Sequence, residues 1–351
     1  MTTLTVTPPK KDIRKIDLAV LKDFLTEKGE KPFRAKQISE WLWKKSAVSF
    51  EEMTNLSEKL RALLAEDFEI RQVSVAKQQK SRDGTIKSAF QLFDGNIIEG
   101  VLIPANDRIT ACVSSQVGCS LTCKFCATGY MERKRNLDAA EIYDQVALIK
   151  KQAEENFQSP LTNVVYMGMG EPLLNYANVM ESIRYLTSQE GLNMAAKRIT
   201  VSTAGIARMI KKLADDDVKF NLALSLHAAN DEKRNQIMPI NESNSLENLK
   251  EALQYFYQKT ESRITYEYIV FNNFNDSLQD AQELYEFTKH TPCKINVIEY
   301  NPIKEADFVN TSESKMDAFT QFLLKKGVIV NLRRSRGKDI DAACGQLANK
   351  G

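Results

Sequence analysis

Histidine is almost missing from this chain of 351 residues: there are two, His227 and His290, and neither lies near the cysteine-rich segment at 112–129. A structural zinc site normally draws four ligands from Cys and His, so zinc is disfavoured as the occupant of those cysteines. No apolar run is long enough to span a bilayer. The opening MTTLTVTPPKKDIRKIDLAV is charged where a secretory signal needs an unbroken apolar stretch. A cytoplasmic location and no membrane partner are expected. Net charge is also scarce, at +2, which excludes strong global attraction to a polyanion. In a reducing compartment, six cysteines with four of them bunched argue against a disulfide framework. Internal repeats and low-complexity linkers are lacking, and 43% apolar with 27% charged residues is an ordinary globular balance.

The charge that is present is unevenly placed. Residues 71–90 hold five basic side chains against one acidic, RKR stands at 133–135, and RRSRGK at 333–338 puts four basic residues within six. Charge alone leaves solvated faces and nucleic-acid contact level as explanations.

Apolar positions at helical spacing in LAVLKDFLTEKG, AKQISEWLWKK and SEKLRALLAEDF predict a small helical module over 1–69, with Gly29 and Pro32 breaking the first two helices apart. From 70 to 104 the pattern alternates, interrupted at Asp83-Gly84 and Asp94-Gly95, which predicts a short antiparallel meander. Over 105–351, short apolar strands alternate with helical segments: ITACVSS, NVVYMG, RITVST, FNLALSL, ITYEYIVF and KINVIEY. That is an α/β chain with a parallel sheet. Six units fit a partial (β/α)6 barrel better than a closed eight-unit one, with VIVNLRR as an added strand. A doubly wound sheet gives a similar string. On either topology functional groups gather at the strands' carboxyl ends. There stand GCSLTCKFC, GMGEP, STAG, SLHAAND and YNP.

Cys119, Cys123 and Cys126 are spaced C-x3-C-x2-C. Three thiols holding a 4Fe-4S cluster leave one iron open to activate a small molecule, so the missing fourth ligand becomes the active position. Three inert buried cysteines on a loop are the competing explanation. The spacing, its place after the first barrel strand and Phe125 before the last cysteine resemble the radical S-adenosylmethionine superfamily. That resemblance implies a 4Fe-4S cluster on Cys119, Cys123 and Cys126 and S-adenosylmethionine on its open iron. It also implies that Gly170 and Glu171 of MGEP meet the methionine amino group. Ser202, Ser225, Leu226, His227 and Asn301 would line the nucleoside and sulfonium side. Each of these taken alone is equally a helix cap or packing residue.

Across nearly its whole length the chain is similar to the RNA adenine methyltransferases of the RlmN group (C2) and Cfr group (C8). The similarity is carried by PFRAKQISEWLW, SSQVGCSLTCKFCATG, MGMGEPLLN, ITVSTAGI, LALSLHAANDEKRNQIMPIN, TPCKIN and RGKDIDAACGQL. It implies that Cys344 is methylated and then carries that methyl to adenine, and that Cys112 resolves the adduct through a disulfide bond with Cys344. The chemistry fits: adenine C2 has no lone pair with which to attack a sulfonium methyl, whereas a thiolate has. The resemblance points to Glu99 as base for the ring proton, with an exposed edge charge as the alternative. Cys293 is read as a buried hydrophobe. Expected partners are 23S ribosomal RNA at the peptidyl-transferase centre, transfer RNA beside the anticodon, and a flavodoxin-like or ferredoxin-like electron donor. The protein is expected to be a monomer. C2 methylation is preferred to C8. A structural iron–sulfur protein that only binds RNA is the reading from a different class.

Overall fold

The computed structural model of the protein describes residues 10–105 and 107–349. Three helices build the amino-terminal module: α1 (Leu18–Glu27), α2 (Arg34–Trp43) and α3 (Glu58–Asp67). The side chains of Asp17 and Ser57 cap α1 and α3 by accepting from the Ala19 and Leu60 amides, which satisfies donors that a helix start leaves open. Leu21, Leu25, Ile38, Leu42, Leu60 and Leu64 form the buried face that the helical spacing predicts. The ends of the module meet in a parallel pair, β1 (Lys11–Asp12) with β2 (Phe68–Glu69).

The meander follows as β3 (Ser74–Lys80), β4 (Ile86–Gln91) and β5 (Ile97–Ala105), all antiparallel. Its turns contain Gly84 and Gly95 at φ +87° and +80°, a region that glycine enters without steric cost. β5 pairs antiparallel with β6 (Arg108–Cys112), so the meander is hydrogen-bonded into the main sheet. A clasp of two residues per strand, β7 (Gln116–Val117) with β8 (Arg135–Asn136), flanks the cysteine loop.

The remaining strands are β9 (Asn163–Tyr166), β10 (Ile199–Thr203), β11 (Asn221–Ser225), β12 (Ile264–Val270), β13 (Cys293–Glu299) and β14 (Val330–Arg333). From β6 onward every neighbouring pair in the sheet is parallel. The spatial order is β14-β13-β12-β11-β10-β9-β6-β5-β4-β3. A doubly wound sheet reverses its strand order at a switch point. Here the order runs one way, as in a barrel left open, with six βα units and β14 as the added parallel strand.

The long helices between these strands are α4 (Ala139–Phe157), α5 (Tyr176–Thr187), α6 (Ala207–Asp215), α8 (Leu246–Thr260), α9 (Leu278–Thr288) and α10 (Glu313–Lys325), with α7 (Asp231–Ile237) a shorter piece after β11. Strand β12 is buried along its full length, as a parallel strand covered on both faces must be.

Candidate active site

Parallel strands deliver their following loops to one rim, and the rim here is sewn together by polar contacts. Ser114 Oγ donates to the Glu99 carbonyl at 2.6 Å and accepts from the Met169 amide at 2.8 Å, joining strand β5 to the loops after β6 and β9. Gly170 has φ +93°, and a Cβ there would lie 2.5 Å from that of Gln116. The Gln116 Oε1 accepts from the Glu171 amide at 2.9 Å. The MGEP turn therefore needs glycine both for its dihedral and for its closeness to the β7 strand.

Cys119, Cys123 and Cys126 line a cavity of about 150 Å³ together with Gly170, Glu171, Ser202, Ser225, His227, Glu267 and Cys344. Burial raises all three thiols: Cys119 to about 11, Cys123 well above its ordinary value, and Cys126 despite amide donors from Thr128 and Gly129. Phe125 packs edge-on to His227 with centroids 4.7 Å apart. Beneath the loop, buried Arg234 donates to the carbonyls of Leu226, Ala204 and Ser225 and to Asn241 Oδ1, fixing the ends of β10 and β11.

A second cavity, about 120 Å³, is lined by Cys112, Cys126, Arg333, Arg334, Arg336 and Cys344 among others. Cys344 thus borders both spaces. Cys112, at the end of β6, is buried, and its thiol is pushed up to about 12 by burial and by the neighbouring Cys344, with Arg333 opposing. Cys344 is solvent-exposed at the mouth of the site, yet protein surrounds it closely enough that burial raises its thiol, Arg333 again opposing. All six cysteines are free thiols. The disulfide bond expected from the sequence is absent here: Cys112 is fixed on β6, while the Cys344 loop is held separately by the contacts below.

The segment around Cys344 is fastened mainly by the meander. Ser81 Oγ donates to Asp339 at 2.5 Å, the Arg82 amide to Asp339 at 3.2 Å, and the Gly337 amide to Asp83 at 2.9 Å. Beyond Cys344, the Ala348 and Asn349 amides donate to Glu99 Oε2 at 2.9 and 3.2 Å, and Lys87 lies 3.5 Å from Glu99 Oε1. Asn301 Nδ2 donates to the Cys344 carbonyl at 3.2 Å. The cysteine loop joins in through the Ala127 amide, which donates to the Gly345 carbonyl at 2.7 Å.

Two family profiles match the chain: the ribosomal RNA large subunit methyltransferase N-terminal domain over residues 11–70 and the radical SAM superfamily over 113–287. The protein of Cytophaga hutchinsonii described as a probable dual-specificity RNA methyltransferase RlmN is 64% identical over 100% of this chain and 96% of its own length. The chain belongs to the RlmN family of radical S-adenosylmethionine RNA methyltransferases. A relative of the same description from Bacillus velezensis is 43% identical over 100% of this chain and 98% of its own. The crystal structure of a radical SAM methyltransferase from Sphaerobacter thermophilus superposes with TM-score 0.90 at 40% identity, covering 96% of this chain and 99% of that one. The hydrogenase maturase HydG, at TM-score 0.51 and 13% identity over 67% of this chain and 54% of its own, shares the fold alone.

As a radical SAM methyltransferase the enzyme takes a 4Fe-4S cluster and S-adenosylmethionine, and the residues lining the cavity suit both. Three cysteines and no further thiol but Cys344 border it, as a cluster with one open iron requires. Among the described residues no three His, Cys, Asp or Glu side chains are grouped to hold a single metal ion, which is compatible with thiolates each meeting a separate iron. Glu267 Oε2 is buried in the cavity wall without a hydrogen-bond partner, and burial raises that carboxyl. That oxygen lies 3.7 Å from Arg333 Nη1, and its open hydrogen-bonding capacity suits a ligand carrying hydroxyl or ammonium donors.

The sequence-derived pocket residues divide. Ser202, Ser225 and His227 line the cavity, with the two serine hydroxyls 3.3 Å apart. His227 Nδ1 accepts from the Ile269 amide at 3.1 Å, and burial lowers its pKa to about 3, so the ring is neutral. Glu171 accepts from the Leu173 and Ala204 amides at 3.1 and 2.8 Å, while burial raises its pKa to about 6. Leu226 is wholly buried and contributes its carbonyl to Arg234. Asn301 holds the Cys344 loop from behind, its Oδ1 buried and unpartnered. Glu99 is 2% exposed, so it is no exposed edge charge, and it borders neither cavity. Cys293 is half-buried at the start of β13, away from both cavities. Glu267 was not singled out from the sequence. Its only signal is a carboxylate inside the apolar run ITYEYIVF, where alternation turns it inward.

Proposed function

We propose that the enzyme methylates C2 of adenine in 23S ribosomal RNA at the peptidyl-transferase centre and in transfer RNA beside the anticodon. The observation that carries this reading is Cys344, which borders the three-cysteine cavity on one side and the Cys112 and arginine cavity on the other. Cys119, Cys123 and Cys126 hold the cluster; Gly170 and Glu171 take the methionine end of S-adenosylmethionine, with Ser202, Ser225 and His227 along its nucleoside. Bound there, these cofactors supply an electrophilic methyl group and, after one-electron reduction, a carbon radical that abstracts hydrogen.

Cys344 loses its proton, accepts the methyl at sulfur and becomes a thioether. The methyl carbon, once stripped of hydrogen, bonds to C2 of adenine. The ring proton then passes to a base and one electron leaves, for which the oxidised cluster held by Cys119, Cys123 and Cys126 would be the acceptor. The Cys112 thiolate attacks the Cys344 sulfur, so an S–S bond forms as the S–C bond breaks, and the departing methylene carbon takes up a proton to become the methyl group of the released base. A cellular dithiol reductant resets the pair. Arg333, beside both thiols, favours their thiolate forms. The Arg333–Arg336 run and the exposed edge strand β3, which carries Lys77 and Lys80, meet phosphates of an RNA whose target base has left its stack. We infer a cytoplasmic monomer supplied with electrons by a flavodoxin-like or ferredoxin-like protein.

For the ring proton the proposal assigns Glu99, whose Oε2 must exchange the Ala348 and Asn349 amides for the substrate. Glu99→Gln separates that role from holding the loop, because an amide oxygen still accepts from both backbone donors but takes up no proton. Loss of product with intact RNA affinity supports the base; near-normal product leaves Glu99 a positioning residue.

The test is anaerobic incubation of the reconstituted enzyme, S-adenosylmethionine and a reductant with unmodified ribosomal and transfer RNA, followed by nucleoside mass spectrometry. A 2-methyladenosine peak is expected on both RNAs. An 8-methyladenosine peak moves the enzyme to the chemistry of the Cfr group, and S-adenosylmethionine cleavage without methyladenosine contradicts the substrate.

A further inference from the structure

Phe93 sits in the turn between β4 and β5 with 47% of its surface exposed. Around its ring stand the Arg71 guanidinium at 4.5 Å from the centroid, that of Arg135 at 5.5 Å and the Lys15 ammonium at 5.8 Å. Among the described residues no other ring gathers three cations, and these come from three separate segments: the amino-terminal module, the linker to the meander, and the β8 clasp. The catalytic mechanism above uses none of the four.

Their polar ends are partly occupied. Lys15 pairs with Asp138 at 2.7 Å. Arg71 Nε donates to Glu69 at 2.7 Å and its Nη2 to the Lys10 carbonyl at 3.3 Å. Arg135 donates through Nε to Asp94 at 2.6 Å and through both terminal nitrogens to Glu141 at 2.7 and 2.8 Å. Arg135 has most of its in-plane donors engaged and Arg71 two of its five, and both guanidinium groups keep flat faces for stacking. Three cations, Lys15, Arg71 and Arg135, face four carboxylates, Asp138, Glu69, Asp94 and Glu141, so the patch offers no excess positive charge to a phosphate backbone.

The turn is also on the correct rim. β5 runs antiparallel to β6, so its first residue, Ile97, lies toward the end at which β6 finishes in Cys112. Asn349 Nδ2 donates to the Ile97 carbonyl at 2.7 Å, tying this turn to the segment that carries Cys344.

We propose that Phe93, framed by Arg71 and Arg135, is a stacking platform for an unpaired nucleobase of the RNA substrate, distinct from the pocket that takes the target adenine. This rests on RNA being the substrate, as proposed above. An aromatic face with planar cations beside it is the surface that holds an unpaired base without reading its identity. A base held there steadies the RNA strand on the rim while another is drawn toward Cys344.

The test compares Phe93→Ala, Phe93→Leu and Phe93→Trp in the full-length holoenzyme, with binding of an unmodified transfer RNA transcript read by fluorescence anisotropy. Alanine and leucine are both expected to weaken binding about tenfold or more, and tryptophan to keep it within about twofold. KM for RNA should rise by the same factor with kcat at saturating RNA little changed, as for binding shared by ground and transition states. Melting temperatures of the variants report any damage to the fold. Wild-type affinity in Phe93→Ala overturns the platform, and so does wild-type affinity in Phe93→Leu, which would make the ring mere apolar cover. If the wild type binds the transcript but forms no methyladenosine, the proposed function fails while the alanine, leucine and tryptophan comparison still decides the platform. If the wild type binds no RNA, both fall.

Discussion

The two cysteine-bearing loops at the rim are held by different parts of the molecule. The Cys119–Cys126 loop is fixed by itself and by the barrel segment after β11: a Cys126 amide bonded to the Cys123 carbonyl at 3.2 Å, an edge-on Phe125–His227 pair, and the Lys124 amide on the Ile237 carbonyl at 3.0 Å. The Cys344 loop exposes Cys344 between buried neighbours and is fixed mainly by the meander, through Ser81, Arg82, Asp83, Lys87 and Glu99. A cluster site needs permanence. A thiol that, on the proposed mechanism, receives a methyl, meets a base and is then attacked by Cys112 needs a support that holds it at a boundary between two spaces. The meander supplies that support, which gives it a purpose beyond closing the sheet.

The largest expected effects separate the loops by function. Cys123→Ala should lose the iron that the reconstituted wild type carries, and with it all activity; Cys344→Ala should retain wild-type iron and form no methyladenosine. Iron content and nucleoside mass spectrometry on the two variants check this, and normal product from Cys344→Ala would break the comparison.

Cutting the long-range support comes next. Asp339→Ala removes the acceptor shared by Ser81 and Arg82, and should lower methylation about ten- to hundredfold, since small misplacements of a reacting group are that costly. Iron content should be unchanged. Equal turnover in this variant would mean that the clasp is ornamental to catalysis.

The smallest effects concern pH, and their signs differ. Although burial would raise it, Asp83 is held down at about 2 by the Thr85 and Gly337 amides, against an ordinary value of 3.8. Its contribution to stability is therefore full above about pH 4 and is lost as pH falls through about 2. Glu171 is raised by burial from 4.5 to about 6. Its contribution is full below about pH 4.5 and is lost as pH rises through about 6. In melting curves without cofactors, the gap between wild type and Asp83→Asn should narrow on acidification toward pH 2. Glu171→Gln should gain on the wild type as pH rises from about 4.5 to about 6 and hold that gain above it.

Legibility follows the same divide. The cysteine loop and the MGEP turn are written locally, in spacing and in glycines, and the Asp-Gly turns mark the hairpins by their own dihedral needs. The six βα units follow from periodicity. What periodicity does not carry is pairing across distance: the union of the meander with the barrel sheet through β5 and β6, the anchoring of residue 339 by residue 81, and the burial of Glu99 beneath residues 348 and 349. Phe93 was equally silent, because its meaning lies in cations contributed from positions 15, 71 and 135.

The central claim is that Cys344 and Cys112 act in sequence on one RNA-bound methyl group, and the Cys112→Ala holoenzyme tests it most directly. After one anaerobic turnover with transfer RNA, nuclease digestion and peptide mass spectrometry, the account predicts a methylene-linked adenosine on the peptide containing Cys344. Free methyladenosine at wild-type yield, with an unmodified or merely methylated Cys344 peptide, would contradict it.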